Sequence, residues 1–159
     1  MFALYFLIAF AAGCAISVQA AVNAQLASGI GGNVFGAAFY SFASGAVVLG
    51  LVAFLHGGLA NAVAALPSQA PWKLIGGVLG AGAIFSTVIL APRIGLANLL
   101  ILVIAGQLVT SLLIDKFGLL NSPLLPVTQV KLWGAVFVIG GALMTLFGDR
   151  ILSWLSHTA

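Results

Sequence analysis

Length, composition and charge define the class of this protein. The chain has 159 residues, of which 63% are hydrophobic and 4% are charged, with five Lys or Arg and two Asp or Glu. A soluble domain could not cover its surface with so few charges, because ordinary domains carry about 25% charged residues. The composition therefore excludes soluble enzymes and nucleic-acid-binding domains, and it predicts an all-α integral membrane protein surrounded by lipid.

Five membrane-spanning helices are predicted in chain order. They cover residues of about 3–26, 34–55, 74–91, 96–114 and 132–147. Each approaches the ~20 residues that cross ~30 Å of hydrocarbon. Residues 1–150 are thus expected to form a single five-helix domain, and residues 151–159 a short interfacial tail. No positively charged segment precedes the first apolar stretch, so we expect that stretch to be retained as a span.

The connections between the spans contain turn-forming and helix-breaking residues. Residues 28–33 are expected to form a tight turn, and Pro92 to separate the third span from the fourth. Gly118 is expected to end the fourth helix. Gly76 and Gly80 favour close helix packing in the third span, because small residues let helix backbones approach each other.

No group of residues suggests catalysis or metal binding. Cys14 is the single cysteine and has no neighbouring His or cation in the sequence that would activate it. His56 and His157 are not accompanied by Cys, Asp or Glu at ligand spacing. We therefore expect neither an enzyme, nor a bound metal, nor a cofactor.

The positive charges are nearly balanced across the membrane. With five spans, Lys73, Lys116 and Lys131 lie on one side, and Arg93 and Arg150 on the other. Membrane orientation follows the Lys/Arg excess of the cytoplasmic loops, and this distribution favours one orientation only weakly. The chain is therefore expected to insert in both orientations. The alternative is that short loops simply hold few charges and that a partner or the first helix determines the orientation.

Dual insertion matters because many secondary transporters consist of two inverted repeats with the substrate site between them. Five spans are an odd number, and the two halves of the chain show no clear similarity. The chain therefore does not contain its own inverted copy. A second, antiparallel copy of the chain would supply it.

Several motifs along the chain resemble one family of membrane proteins. They are Gln19 with Asn23, Pro71-Trp72 with Gly76-Gly77, residues 91–95 (APRIG), residues 103–108 (VIAGQL) and residues 114–118 (IDKFG). The pattern resembles the YdcZ-like family of the drug/metabolite transporter superfamily, and it extends to about Arg150. The resemblance implies a multi-pass exporter of the bacterial inner membrane and the superfamily plan of two inverted five-helix units. It does not imply a particular substrate.

Polar residues inside the spans are the candidate substrate pathway. They are Gln19, Asn23, Tyr40, Ser41, Ser44, Gln107 and Ser111. An unpaired polar group in lipid costs several kcal/mol, so these side chains are expected to face protein or a wet cavity. The alternative for each is a structural hydrogen bond between helices, and this alternative is favoured for the serines.

Asp115 and Arg93 are the candidate residues for coupling or ion pairing. Asp115 lies in the last turn of a helix, where the helix dipole disfavours an anion. It could bind a cation or a proton, pair with Arg93 of an inverted neighbour, or simply be neutralised by Lys116. Arg93 could meet an anion, or its side chain could extend to the membrane interface.

The sequence thus predicts one half of an inverted-repeat bundle that is completed by an antiparallel second chain. The predicted function is secondary transport of a small, unidentified solute by alternating access. A small channel and a non-transporting membrane subunit are the alternatives.

Overall fold

The computed structural model describes residues 2–157, which form helices and short connections with no strand in that range. The α-helices are α1 (Phe2–Gly29), α2 (Val34–His56), α3 (Leu59–Ala65), α4 (Gly76–Ile94), α5 (Leu96–Phe117) and α6 (Gln129–His157). Short 3-10 helices cover Leu66–Ser68, Pro71–Leu74 and Leu119–Asn121. Five helical segments are long and apolar enough to cross a membrane, which confirms the predicted number: Ala3–Gly29, Val34–His56, Pro71–Ile94, Leu96–Phe117 and Gln129–Trp154.

The chain divides into two compact units, one ending at Leu96 and the other beginning at Ala97. In the first unit, α1, α2 and α4 pack against one another in all three pairs. Their common core is small and consists of Ala27 from α1, Ala37 from α2 and Val88 from α4. Small side chains at this point let three helix backbones approach each other closely.

Aromatic contacts reinforce the packing of α2 against α4. The rings of Phe35 and Phe85 stack with their centroids 4.7 Å apart. A Cβ atom placed on Gly80 would lie 3.4 Å from Cζ of Phe42, an ordinary van der Waals distance, so Gly80 faces α2 but a larger residue would also fit there. A Cβ atom on Gly76 would meet nothing within 4 Å, so the described chain makes no close approach there. The spacing of glycines in a helix that is apolar all round does not indicate which glycine faces a neighbour.

The turn between α1 and α2 is short and well hydrogen-bonded, as predicted. The backbone N–H of Gly32 donates to the carbonyl of Ala27 at 2.8 Å. The side-chain oxygen of Asn33 then accepts a hydrogen bond from the backbone N–H of Gly36 at 2.8 Å, which caps the start of α2. This turn places the C-terminal half of α1 beside the N-terminal half of α2.

The break between α4 and α5 lies at a different residue from the one predicted. Pro92 is inside α4, which continues to Ile94, and the chain leaves the helix at Gly95 with φ of 81°. Proline lacks a backbone N–H and its ring crowds the carbonyl four residues earlier, but only two helical residues follow Pro92, so little of the helix is affected. The positive φ favours glycine, so Gly95 ends the helix. The predicted end of the next helix is confirmed, because α5 stops at Phe117 and Gly118 is left-handed.

The second unit contains α5 and α6, which do not pack extensively against each other in the part described. The connecting segment folds back on α5, because the N–H of Leu125 donates to the carbonyl of Asp115 at 3.0 Å. Helix α6 has 29 residues, or about 43 Å at 1.5 Å per residue, against ~30 Å of hydrocarbon. Residues 151–157 form the last turns of α6, and their location at the membrane interface stays a prediction.

Candidate functional site

An open groove between α1 and α2 collects most of the predicted pathway residues. It has a volume of about 460 Å³, within the range of small-molecule sites. The groove is lined from α1 by Gln19, Val22, Asn23 and Leu26, and from α2 by Tyr40, Ser41, Ser44, Gly45, Val48 and Leu49. Five of the seven predicted residues therefore lie together, although their part in transport stays a prediction.

Ser41 is the centre of the polar contacts in this groove. Its Oγ accepts a hydrogen bond from Nε2 of Gln19 at 3.3 Å and another from Nδ2 of Asn23 at 3.2 Å. Gln19 and Asn23 are one turn apart on α1, so both amides reach the same hydroxyl on α2. The three side chains form a cluster that links the two helices, here called the amide cluster.

Burial differs between the two amides of the cluster. Asn23 is only 4% exposed and is buried at the contact between the helices. Gln19 is exposed along the groove. Burying an amide without a partner would cost about 1–3 kcal/mol, so the hydrogen bond to Ser41 stabilises the position of Asn23. Asn23 is therefore both a structural contact and a lining residue, and the two interpretations of the polar residues do not exclude each other.

The remaining groove surface is apolar or aromatic. Val22 and Leu26 on α1 and Val48 and Leu49 on α2 form its aliphatic wall. Tyr40 adds an aromatic ring and a hydroxyl and is 64% exposed. The sequence offered no signal for the aliphatic residues, because valine and leucine occur all along every span. No Lys, Arg, Asp or Glu is among the lining residues.

Gln107 and Ser111 lie in the second unit, along one face of α5. They border an open depression of about 410 Å³ together with Val103, Gly106, Thr110 and Ile114. Thr110, three residues after Gln107, belongs to the same face and is missing from the sequence prediction. The Oγ of Ser111 donates to the carbonyl of Leu108 at 2.9 Å, within its own helix. This face is polar at its centre and apolar at its ends.

Asp115 and Arg93 lie in the last turns of their helices, α5 and α4. Asp115 is half-buried and Arg93 is exposed. The ammonium of Lys116 lies 5.4 Å from the centroid of the Phe117 ring, a cation–π distance. Within residues 2–157, no three His, Cys, Asp or Glu side chains come together as possible metal ligands.

Five apolar helices and an uncharged polar groove define a multi-pass membrane protein. A family model described as "Putative inner membrane exporter, YdcZ" matches residues 4–144. The chain belongs to this family. It is a multi-pass inner-membrane protein, and its family is described as one of membrane exporters rather than enzymes. No curated protein and no solved structure matches the chain.

Proposed function

We propose that this protein is a secondary transporter that exports a small solute by alternating access, and that it works as an antiparallel homodimer. The observation that carries the proposal is the groove between α1 and α2, where polar side chains gather on helices that are otherwise apolar. Polar groups inside a membrane face protein or a water-filled cavity, and such sites mark substrate pathways.

The antiparallel arrangement follows from the number of spans and from the charges. An odd number of spans cannot contain two equal inverted repeats, so the inverted copy must come from another chain. The Lys and Arg residues differ by 3 − 2 = 1 between the two sides, which favours insertion in both orientations. The lack of extensive packing between α5 and α6 in their own unit is compatible with helices that pack against a second subunit.

The pathway in this proposal includes Gln19, Asn23, Tyr40, Ser41 and Ser44 of the groove. Gln107 and Ser111 on α5 extend it. Counted along its helix, Gln107 lies roughly 17 Å deep, near the middle of a ~30 Å hydrocarbon layer. An antiparallel copy would add the same polar residues in the opposite half of the membrane. Polar groups would then line the pathway across the whole thickness of the membrane.

The first experiment measures the orientation of the C-terminus. One reporter that is active only in the cytoplasm and one that is active only outside are fused separately after Ala159. Strong activity of both reporters supports dual insertion and an antiparallel homodimer. Activity of only one reporter shows a fixed orientation and contradicts the homodimer as proposed.

A second experiment tests transport itself. Membrane vesicles with wild-type protein or with Gln107→Leu are loaded with a cell extract, and the released solutes are identified by mass spectrometry. We expect at least one solute to be released from vesicles with the wild-type protein and not from vesicles with Gln107→Leu. Both proteins should still form a cross-linked dimer. Equal release from both proteins would favour a non-transporting subunit, and a steady current in a planar bilayer would favour a channel.

A further inference from the structure

Ser41 differs from five other serines and threonines of the spans. Ser44, Ser86 and Ser111 each donate their hydroxyl proton to a backbone carbonyl three or four residues earlier in their own helix. Thr87 and Thr145 do the same. Both recorded hydrogen bonds of the Ser41 hydroxyl are instead accepted, from two amides on another helix. Ser41 is therefore oriented by its neighbours and not by its own backbone.

The amide cluster has a defined capacity for further hydrogen bonds. A serine hydroxyl has two acceptor sites and one donor. Gln19 and Asn23 occupy both acceptor sites of Ser41, so its O–H remains a donor. The two bonds use only the amide nitrogens, so the side-chain carbonyl oxygens of Gln19 and Asn23 remain acceptors. The cluster can thus donate one hydrogen bond and accept others without breaking its own bonds.

We propose that the groove binds an uncharged amphiphile, with a hydroxyl or primary amide group at the amide cluster and an aliphatic portion against Val22, Leu26, Val48 and Leu49. This inference rests on the proposed transport function and specifies its substrate class. A hydroxyl or primary amide both donates and accepts hydrogen bonds, which matches the capacity of the cluster. The aliphatic wall beside it supplies the apolar contact.

Charge argues against ionic ligands at this site. The lining contains no carboxylate and no basic side chain. Moving an ion out of water without an opposite charge is far more costly than moving a hydrogen-bonded neutral group. Tyr40 is the single aromatic residue of the lining, whereas binding sites for quaternary ammonium groups surround the cation with several aromatic rings. The groove therefore discriminates against ions of both signs.

Three probes with six-carbon chains and different head groups test this inference. Hexanamide is neutral, while hexanoate and hexylammonium are charged at neutral pH. Each is titrated into the full chain in lipid nanodiscs, and the assigned side-chain amide signals of Gln19 and Asn23 are followed by NMR. We expect saturable changes in these chemical shifts with hexanamide. Hexanoate and hexylammonium should bind at least about tenfold more weakly.

Two variants separate the site from general partitioning into lipid. Ser41→Ala should weaken hexanamide binding about tenfold, the effect of one lost hydrogen bond and a displaced cluster. Ser86→Ala, outside the groove, should leave binding unchanged. The inference would be overturned if hexanoate or hexylammonium bound more strongly than hexanamide. It would also be overturned if Ser41→Ala bound hexanamide as strongly as the wild-type protein. Such a result together with dual reporter activity and solute release would leave the transport proposal standing, so the two failures are distinguishable.

Discussion

At the scale of single residues, the most informative contact is the one that Ser41 makes with two amides. Interhelical side-chain hydrogen bonds in membranes average only about 0.6 kcal/mol, because the unfolded chain in the membrane finds other partners. Asn23 is a special case, since it is 4% exposed and, among residues 2–157, Ser41 is the partner that accepts from its amide. The loss of that acceptor leaves a polar group in an apolar environment.

We expect Ser41→Ala to lower the free energy of unfolding by about 1–2 kcal/mol. The amide of Asn23 loses its acceptor, and α1 and α2 lose a polar link. The measurement is reversible unfolding in mixed micelles with increasing sodium dodecyl sulfate. Ser86→Ala is the matched control, because the Ser86 hydroxyl donates to a carbonyl of its own helix at 2.8 Å, and this variant should stay within about 0.5 kcal/mol of the wild type. Equal effects of the two substitutions would contradict the structural role of Ser41.

The amino-acid sequence identifies the polar residues of the groove but not the pattern of their bonds. Polarity inside apolar spans is a strong signal, so Gln19, Asn23 and Ser41 could be selected without a structure. The choice of Ser41 over Ser44 as the partner of the amides depends on the rotation of α2 relative to α1. In spans that are apolar all round, hydrophobic periodicity does not indicate that rotation.

At the scale of helices, the first unit depends on very small residues at its centre. Ala37 is fully buried, with 0% exposure, and it packs beside Ala27 and Val88. In a bilayer the hydrophobic effect does not hold helices together, because lipid is as apolar as leucine. Close van der Waals packing must therefore hold α1, α2 and α4, and it depends on volume at this point.

Enlarging Ala37 should separate these helices. Ala37→Leu is expected to destabilise the protein by about 1–3 kcal/mol, because overpacking forces side chains and backbones to move. The change should appear in the same detergent unfolding measurement and as a lowered Tm. Ala46→Leu on the same helix is the matched control, since Ala46 is exposed in this chain. If Ala46→Leu were the more harmful of the two, the packing described for α2 would be contradicted.

Helix ends could be predicted from the sequence only in part. Gly118 and the turn before Asn33 are confirmed, because glycine and asparagine have strong local preferences at helix ends. Pro92 was a misleading signal for the end of α4, since the helix continues for two residues beyond it and Gly95 ends it.

At the scale of the whole molecule, two charged residues should meet across the proposed dimer. Arg93 lies in the last turn of α4 and Asp115 in the last turn of α5. The order of the spans predicts that the two residues lie at opposite faces of the membrane. In an antiparallel dimer, Arg93 and Asp115 of the partner subunit lie at the same face. Two-fold symmetry repeats the pair at the other face. The proposed dimer can therefore contain two such ion pairs.

Exchanging these charges tests the ion pairs. Asp115→Arg alone and Arg93→Asp alone should each weaken dimer formation about tenfold, because like charges then face each other in both pairs. The double variant restores opposite charges and should recover dimer formation. The measurement is the dimer fraction at increasing dilution in detergent. A double variant that dimerises no better than the single ones would contradict the pairing but not dual insertion.

The near-balance of positive charges leads to the last prediction, the reversal of orientation. The five predicted spans put three Lys on one side and two Arg on the other, with the C-terminus on the side of the two Arg. Lys73→Gln combined with Lys131→Gln leaves one positive charge against two, so the C-terminus should move mainly to the cytoplasm. The same pair of C-terminal reporters measures the distribution. Lys73→Arg with Lys131→Arg keeps the charges and should keep the wild-type distribution. An unchanged distribution in the glutamine variant would show that another feature determines orientation, and it would remove the charge argument for an antiparallel homodimer.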